Sequence, residues 1–122
     1  MRTRESEEMY LETILLLKRR KRYVRSVDVV EELGYAKSSV SRGVNLLVNK
    51  GYITMDRHTG DIEFTEVGFD KANKIYERHE VLTEALIKLG ADKNIAEDNA
   101  CRMEHIISDE MFEYFKKFIQ ED

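Results

Sequence analysis

Cys101, Glu104 and His105 stand together in the run Ala-Cys-Arg-Met-Glu-His. A thiolate, a carboxylate and an imidazole are donor types that transition-metal ions use. At spacings i, i+3 and i+4 they fall on one side of a helix. The chain has one cysteine and three histidines, so meeting one of each within five residues is informative. Such a set is half a site, and other elements must supply the remaining ligands. Met9 and Glu12, at i and i+3, are candidates, as is His79 in Glu-Arg-His-Glu. Each also has a plainer role: Met9 as a filler of core gaps, Glu12 as a solvated charge, His79 as a surface histidine, Cys101 as a small buried residue.

A second group of residues suits nucleic acid. The run Ala36-Lys37-Ser38-Ser39-Val40-Ser41-Arg42 opens a helical segment with short hydroxyls and two cations. Ser38, Ser39 and Ser41 let a helix approach closely and bond bases or phosphates, and Lys37 supplies charge. Arg42 reaches a guanine with two hydrogen bonds or holds a phosphate. Arg57 and His58 lie in a polar, glycine-bearing tip suited to touching the DNA backbone or minor groove. Serines at a helix start also serve as ordinary caps, and hairpin tips are polar in any case.

The elements that must position these groups follow from periodicity and punctuation. Met9 to Lys21 predicts an amphipathic helix ending in Lys-Arg-Arg-Lys-Arg. Ser26 reads as the cap of a short helix, Val27 to Leu33, closed by Gly34, and a second helix runs from Lys37 to Asn49 before Gly51. Two short helices around a tight glycine turn form a helix-turn-helix. Tyr52–Met55 and Asp61–Phe64 flank Asp56-Arg57-His58-Thr59-Gly60 as a β-hairpin, which completes a winged helix-turn-helix. Thr65 caps a long helix to Leu89, Asp92 opens another through Ile107, and Ser108 or Asp109 caps the last to Ile119. The last helix carries Met111, Phe112, Phe115, Phe118 and Ile119, a stripe that something must cover, in part a second copy of the chain. The expected fold is mainly α, with a winged helix-turn-helix over residues 1–70 and an all-helical metal-binding and dimerisation domain over 71–122.

Charge divides the same way. Residues 1–58 hold 12 Lys/Arg against 8 Asp/Glu, and residues 59–122 hold 8 against 16. A phosphate-facing front and a cation-attracting rear are one reading of this asymmetry, chance solvation of surface helices the other. The chain of 122 residues fits one domain or two small units. It has no apolar run long enough to span a bilayer, no signal-peptide pattern, and a single cysteine, so a cytoplasmic protein without membrane partners is expected.

With both faces in view, nearly the whole chain resembles the diphtheria-toxin-repressor family of metal-activated transcriptional repressors. The resemblance rests on Glu8-Met9-Tyr10-Leu11-Glu12-Thr13-Ile14, on Arg78-His79-Glu80, and on Ala100-Cys101-Arg102-Met103-Glu104-His105-Ile106 with Ser108-Asp109-Glu110 following. In the iron-responsive branch, methionine, cysteine, glutamate and histidine surround the primary activating metal, and the matching positions here are Met9, Cys101, Glu104 and His105. That branch also has an ancillary site built from two histidines, a glutamate and a C-terminal SH3-like domain. His79 matches its first histidine, but Glu97 and Thr83 stand at the other two positions, and the extra domain is expected to be missing because the chain stops at Asp122. The shorter manganese-sensing branch uses a glutamate at Glu12 and a histidine at His79, with aspartate and glutamate where Met9 and Cys101 stand here.

The resemblance therefore implies a hybrid, with soft ligands of the iron type on a two-domain body of the manganese type. Thioether and thiolate donors favour Fe²⁺ over Mn²⁺, and Zn²⁺, Co²⁺ or Ni²⁺ are expected to substitute in vitro. Glu12, His79 and Glu97 are expected to hold a second ion, with Glu104 bridging. The implied protein is a homodimer on double-stranded operator DNA, without a small organic substrate, that represses metal-uptake genes when metal sets the orientation of its domains. Two other readings compete. A metal-independent winged-helix regulator would use Cys101 as a redox sensor or leave it inert. A di-iron enzyme would need Glu-x-x-His motifs on two helices, which the adjacent Glu104-His105 pair does not supply.

Overall fold

Local turn chemistry cuts the chain into eight elements in the computed structural model, which describes residues 4–121, with side chains from Ser6 onward. They are α1 (Arg4–Arg20), α2 (Ser26–Leu33), α3 (Lys37–Asn49), β1 (Ile53–Met55), β2 (Ile62–Phe64), α4 (Glu66–Lys88), α5 (Lys93–Met103) and α6 (Asp109–Gln120). Two compact units result, one ending at Asn73 and the other starting at Lys74, so the division falls inside α4. The fold is the mainly helical one expected, with one two-stranded antiparallel sheet.

The first unit is a winged helix-turn-helix. Its core gathers Tyr10, Leu11, Ile14 and Leu15 of α1, Val29 of α2, and Val40, Val44 and Leu47 of α3, all essentially inaccessible to water. Each such aliphatic side chain contributes about 1.5–3 kcal/mol on burial. Gly34 makes the turn: at φ 70° it occupies the left-handed region, and its N–H closes α2 on the Val30 carbonyl at 2.8 Å. α1 and α3 approach closely at Gly43, where a Cβ would lie 2.3 Å from the Tyr10 ring.

The wing pairs Ile53 with Phe64, Thr54 with Glu63 and Met55 with Ile62. Ile53 and Ile62 point inward by the two-residue alternation of strands. The Ile62 N–H donates to Val24 O at 2.8 Å, which fastens the wing to the segment between α1 and α2. At the tip, the Asp56 carboxylate accepts from the Thr59 and His58 backbone N–H groups at 2.8 and 2.7 Å. These bonds hold its pKa below the usual carboxylate value.

In the second unit the apolar faces of α4, α5 and α6 bury Ile75, Leu82, Ala85, Ala96, Ala100 and Phe112. Of the stripe on α6, Phe112 is buried, Phe115, Phe118 and Ile119 are half-buried, and Met111 is exposed. Asp92 and Ser108 cap α5 and α6, accepting from the N–H groups of Ile95 and Met111. Thr65 does the same for α4 through Gly68.

Three expectations change. α1 begins at Arg4, not Met9, because Glu7 is buried in ion pairs with Lys50 and Lys71. No apolar period announces that turn. The residue before α2 is Arg25, not Ser26: the Asp28 carboxylate accepts from the Arg25 N–H at 2.8 Å and pairs with Lys21, while the Asp28 N–H donates to the Arg25 carbonyl at 2.9 Å. α5 ends at Met103 rather than Ile107, for a reason found at the candidate site.

Burial alone would raise the Asp28 carboxyl, but the Lys21 and Arg25 contacts outweigh it and leave its pKa below the ordinary 3.8. A lowered folded-state pKa contributes stability that is present above the unfolded value and lost as pH falls through the folded one. Asp28→Asn should therefore cost about 1–2 kcal/mol in urea unfolding at pH 7. The gap to the unsubstituted protein should narrow as the pH is taken below about 4.

Candidate metal centre and nucleic-acid interface

Glu104 is fully buried, and neither carboxylate oxygen accepts a hydrogen bond among the described residues. Its neighbours are two imidazoles. His79 Nδ1 lies 3.5 Å from Oε2, and His105 Nε2 lies 3.4 Å from Oε1. A buried carboxylate without donors is costly unless a cation accompanies it. Two protein ligands about 2.1 Å from one ion sit about 3.0–3.4 Å apart for octahedral to tetrahedral angles. One hard carboxylate flanked on separate oxygens by two imidazole nitrogens is thus a donor set that fits a divalent transition metal.

The position of this carboxylate is set by Arg78 on α4. Its guanidinium donates to Glu104 O at 3.1 Å and Ile107 O at 2.9 Å, and it pairs with Asp109 at the start of α6. The last carbonyls of a helix lack partners within it. Arg78 satisfies one of them together with a carbonyl beyond the end, so the backbone turns toward Ser108 instead of continuing. Glu104 keeps helical angles (φ −59°, ψ −26°) and its N–H still donates to Ala100 O. His105 lies in the turn beyond. Arg78 also lies over the Phe112 ring, 5.2 Å from its centroid. Nothing in the sequence marks this role, because an arginine on a charged helix carries no sign of the carbonyls it will meet.

Cys101 differs from Glu104 in burial. It is exposed on α5, without a disulfide, whereas Glu104 is sealed and His105 half-buried. Cys101 lies in the last turn of α5, Glu104 is its C-terminal cap with helical angles, and His105 follows in the turn. In α1, Glu12 is buried and Met9 half-buried, and the Tyr35 hydroxyl donates to Met9 Sδ at 3.4 Å. His79 and Glu97 line one open groove of about 370 Å³ with Tyr76, Glu80, Thr83 and Glu84.

On the nucleic-acid side, Ala36, Lys37, Ser38, Ser41 and Arg42 are exposed at the start of α3, and Ser39 is half-buried with its carbonyl accepting from Tyr10. Arg57 and His58 are exposed at the wing tip. Lys21, Arg22 and Arg25 line a groove of about 940 Å³ beside the wing strands.

A winged helix-turn-helix followed by a helical unit with a carboxylate–imidazole cluster defines a metal-responsive transcription regulator. The chain belongs to the iron-dependent repressor family, that of the diphtheria toxin repressor. Residues 2–60 match its N-terminal DNA-binding domain, and residues 65–121 match its metal-binding and dimerisation domain. An uncharacterised helix-turn-helix transcriptional regulator of Methanocaldococcus jannaschii is 33% identical over 118 residues, covering 95% of this chain and 94% of that protein. The transcriptional regulator MntR of Escherichia coli is 32% identical over 117 residues, covering 96% and 75%. Among solved structures, a manganese-dependent transcriptional repressor in complex with manganese superposes with a TM-score of 0.84 at 22% identity, over 93% of this chain and 52% of that one. The IdeR protein of T. acidophilum gives 0.75 at 19%, over 100% and 55%. The chain thus spans about half the length of these two solved proteins. No helix of the described residues is long and apolar enough to cross a membrane.

Removing the guanidinium leaves two carbonyls and Asp109 without their partner. Arg78→Ala should lower stability by about 1–3 kcal/mol in chemical denaturation. Amide exchange at residues 104–108 should accelerate more than in α1, locating the loss at the turn.

Proposed function

We propose that this chain is a dimeric, metal-activated DNA-binding repressor of metal-uptake genes, with Fe²⁺ the favoured effector and Mn²⁺ the alternative. The observation that carries the metal reading is the buried Glu104 carboxylate between His79 and His105. The primary ligands are Met9, Cys101, Glu104 and His105. Glu12, His79 and Glu97 belong to a second site, and Glu104 is its bridge. The division of the Glu104 oxygens, one facing each histidine, supports the bridging role. The solved repressor in complex with manganese supports Mn²⁺ as the alternative, and the thioether and thiolate donors favour Fe²⁺.

When bound, the cation supplies positive charge and directional bonds to the carboxylate, imidazole and sulfur donors. The protein's own part is to hold those donors. Arg78 fixes the backbone at Glu104, burial keeps water from the carboxylate, and α1 brings Met9 and Glu12 as i, i+3 neighbours. Because the ligands come from both units, occupancy would restrict the freedom between them and thereby the spacing of two recognition helices in a dimer. Lys37, Ser38, Ser41 and Arg42, with Arg57 and His58, meet the DNA; Ala36 allows close approach, and Ser39 contributes through the helix start. A second reading, favoured by the exposure of Cys101, is a metal-independent regulator that responds to oxidation.

Operator DNA selected from a random duplex library gives the assay. Under anaerobic conditions Fe²⁺ should tighten binding at lower concentration than Mn²⁺, and Zn²⁺, Co²⁺ or Ni²⁺ should also activate. Equal activation by Fe²⁺ and Mn²⁺ would remove the iron preference. DNA binding unchanged by chelator but altered by oxidant would replace the metal reading with the redox one. Glu104→Gln should abolish metal-dependent binding, together with the rise in melting temperature that metal produces in the unsubstituted protein.

Arg42→Ala should weaken DNA binding with metal affinity unchanged. The expected loss is about 1–3 kcal/mol if Arg42 reads a base. A uniform loss across sequences, with a shallower salt dependence, would assign it to phosphate. Retained DNA binding with weakened metal binding would overturn the interface assignment.

A further inference from the structure

Two consecutive residues of α1 hold the helix-turn-helix from different points. Tyr10, buried to 1% exposure, lays its ring against Gly43 and donates its hydroxyl to Ser39 O at 3.3 Å, both on α3. Met9, beside it, accepts the Tyr35 hydroxyl at its sulfur at 3.4 Å. Tyr35 sits in the turn two residues before α3 begins. The residue is 42% exposed, so its ring is not part of the buried core. A thioether sulfur is a weak acceptor, and an exposed phenol has water as its usual partner. Methionine has three rotatable bonds, so a donor at its sulfur selects among rotamers that packing alone leaves open.

We propose that Tyr35 is a positioning residue that governs the availability of the Met9 sulfur to a metal and ties that sulfur to the turn leading into the recognition helix. The inference rests on the reading of Met9 as a ligand. Sulfur electron density engaged by the phenol O–H is less available for donation to a cation, and the rotamer chosen by Tyr35 must be retained or given up when the sulfur coordinates. Any ion that takes the sulfur must break this contact, so Tyr35 raises the metal concentration at which the Met9 sulfur is bound. Any movement of the Met9 side chain is felt directly at the turn that aims α3.

The test is a double-mutant cycle on Tyr35→Phe and Met9→Leu, read as Co²⁺ affinity by chelator competition on full-length protein without DNA. Phenylalanine keeps the ring and removes only the hydroxyl. Tyr35→Phe should tighten Co²⁺ by about two- to tenfold, the range of one ordinary hydrogen bond. It should do nothing in the Met9→Leu background. In metal-free protein carrying ¹³C-methyl methionine, the Met9 methyl resonance should shift in Tyr35→Phe. Met9→Leu with unchanged Co²⁺ affinity would remove Met9 from the ligand set and the inference with it. Weaker binding in Met9→Leu, with Tyr35→Phe indistinguishable from the unsubstituted protein, would overturn the Tyr35 role alone. An equal gain in both backgrounds, or an unmoved methyl resonance, would also overturn it.

Discussion

A carboxylate withdrawn from water between two imidazoles is the constraint around which the second unit is organised. Glu104 gives up its hydration without gaining a hydrogen-bond donor at either oxygen among the described residues. A buried carboxylate in such surroundings is costly, and a bound cation would offset that cost. Arg78 does not do so at the carboxylate, because it spends its donors on the Glu104 and Ile107 carbonyls and on Asp109. One arginine thus ends α5, holds the start of α6 and leaves the carboxylate open to the histidines. The same turn makes the second unit depend on a few polar contacts where a longer α5 would have depended on helical hydrogen bonds.

The first unit answers a different demand, that of presenting a helix rigidly. The absence of a side chain at Gly43 lets Tyr10 reach α3, and the wing is fastened at Val24 as well as through its own ladder. Exposed cations and hydroxyls at the start of α3 lie on a body whose apolar side is sealed. The positive balance of the front half suits phosphate, and the acidic balance of the rear suits a cation. In a metal-dependent regulator these are the two ligands that have to be linked. The Met9–Tyr35 and Tyr10–Ser39 contacts show how short the path is from α1 to the recognition helix.

Much of this was legible in the residues. Glycines at 34, 51 and 90 end helices where the chain needs a positive φ, and Asp92, Thr65 and Ser108 cap as their side chains dictate. Hydrophobic period identified α3 and the hairpin to within a residue or two, because one face of each must enter the core. The first turn of α1 carries no apolar period because its buried residues, Glu7 and Glu8, are charged. Asp28 was hidden as a cap, since it accepts from the Arg25 N–H with a side chain three residues into the helix. The donor types of the candidate centre were also legible. The sealing of Glu104 was not, because its backbone is held by a guanidinium 26 residues away.

The sequence alone determined the order of the elements, the family, the division of charge and which side chains have the chemistry for metal and DNA. These depend on local propensity, spacing and residue type, all of which act over a few positions along the chain. Only the tertiary structure decided that Glu104 loses its water, that His79 and His105 take opposite oxygens, and that the Met9 sulfur meets Tyr35. Burial and contact between distant residues are properties of packing. No periodicity records which polar group a buried side chain will face once the helices have closed around it.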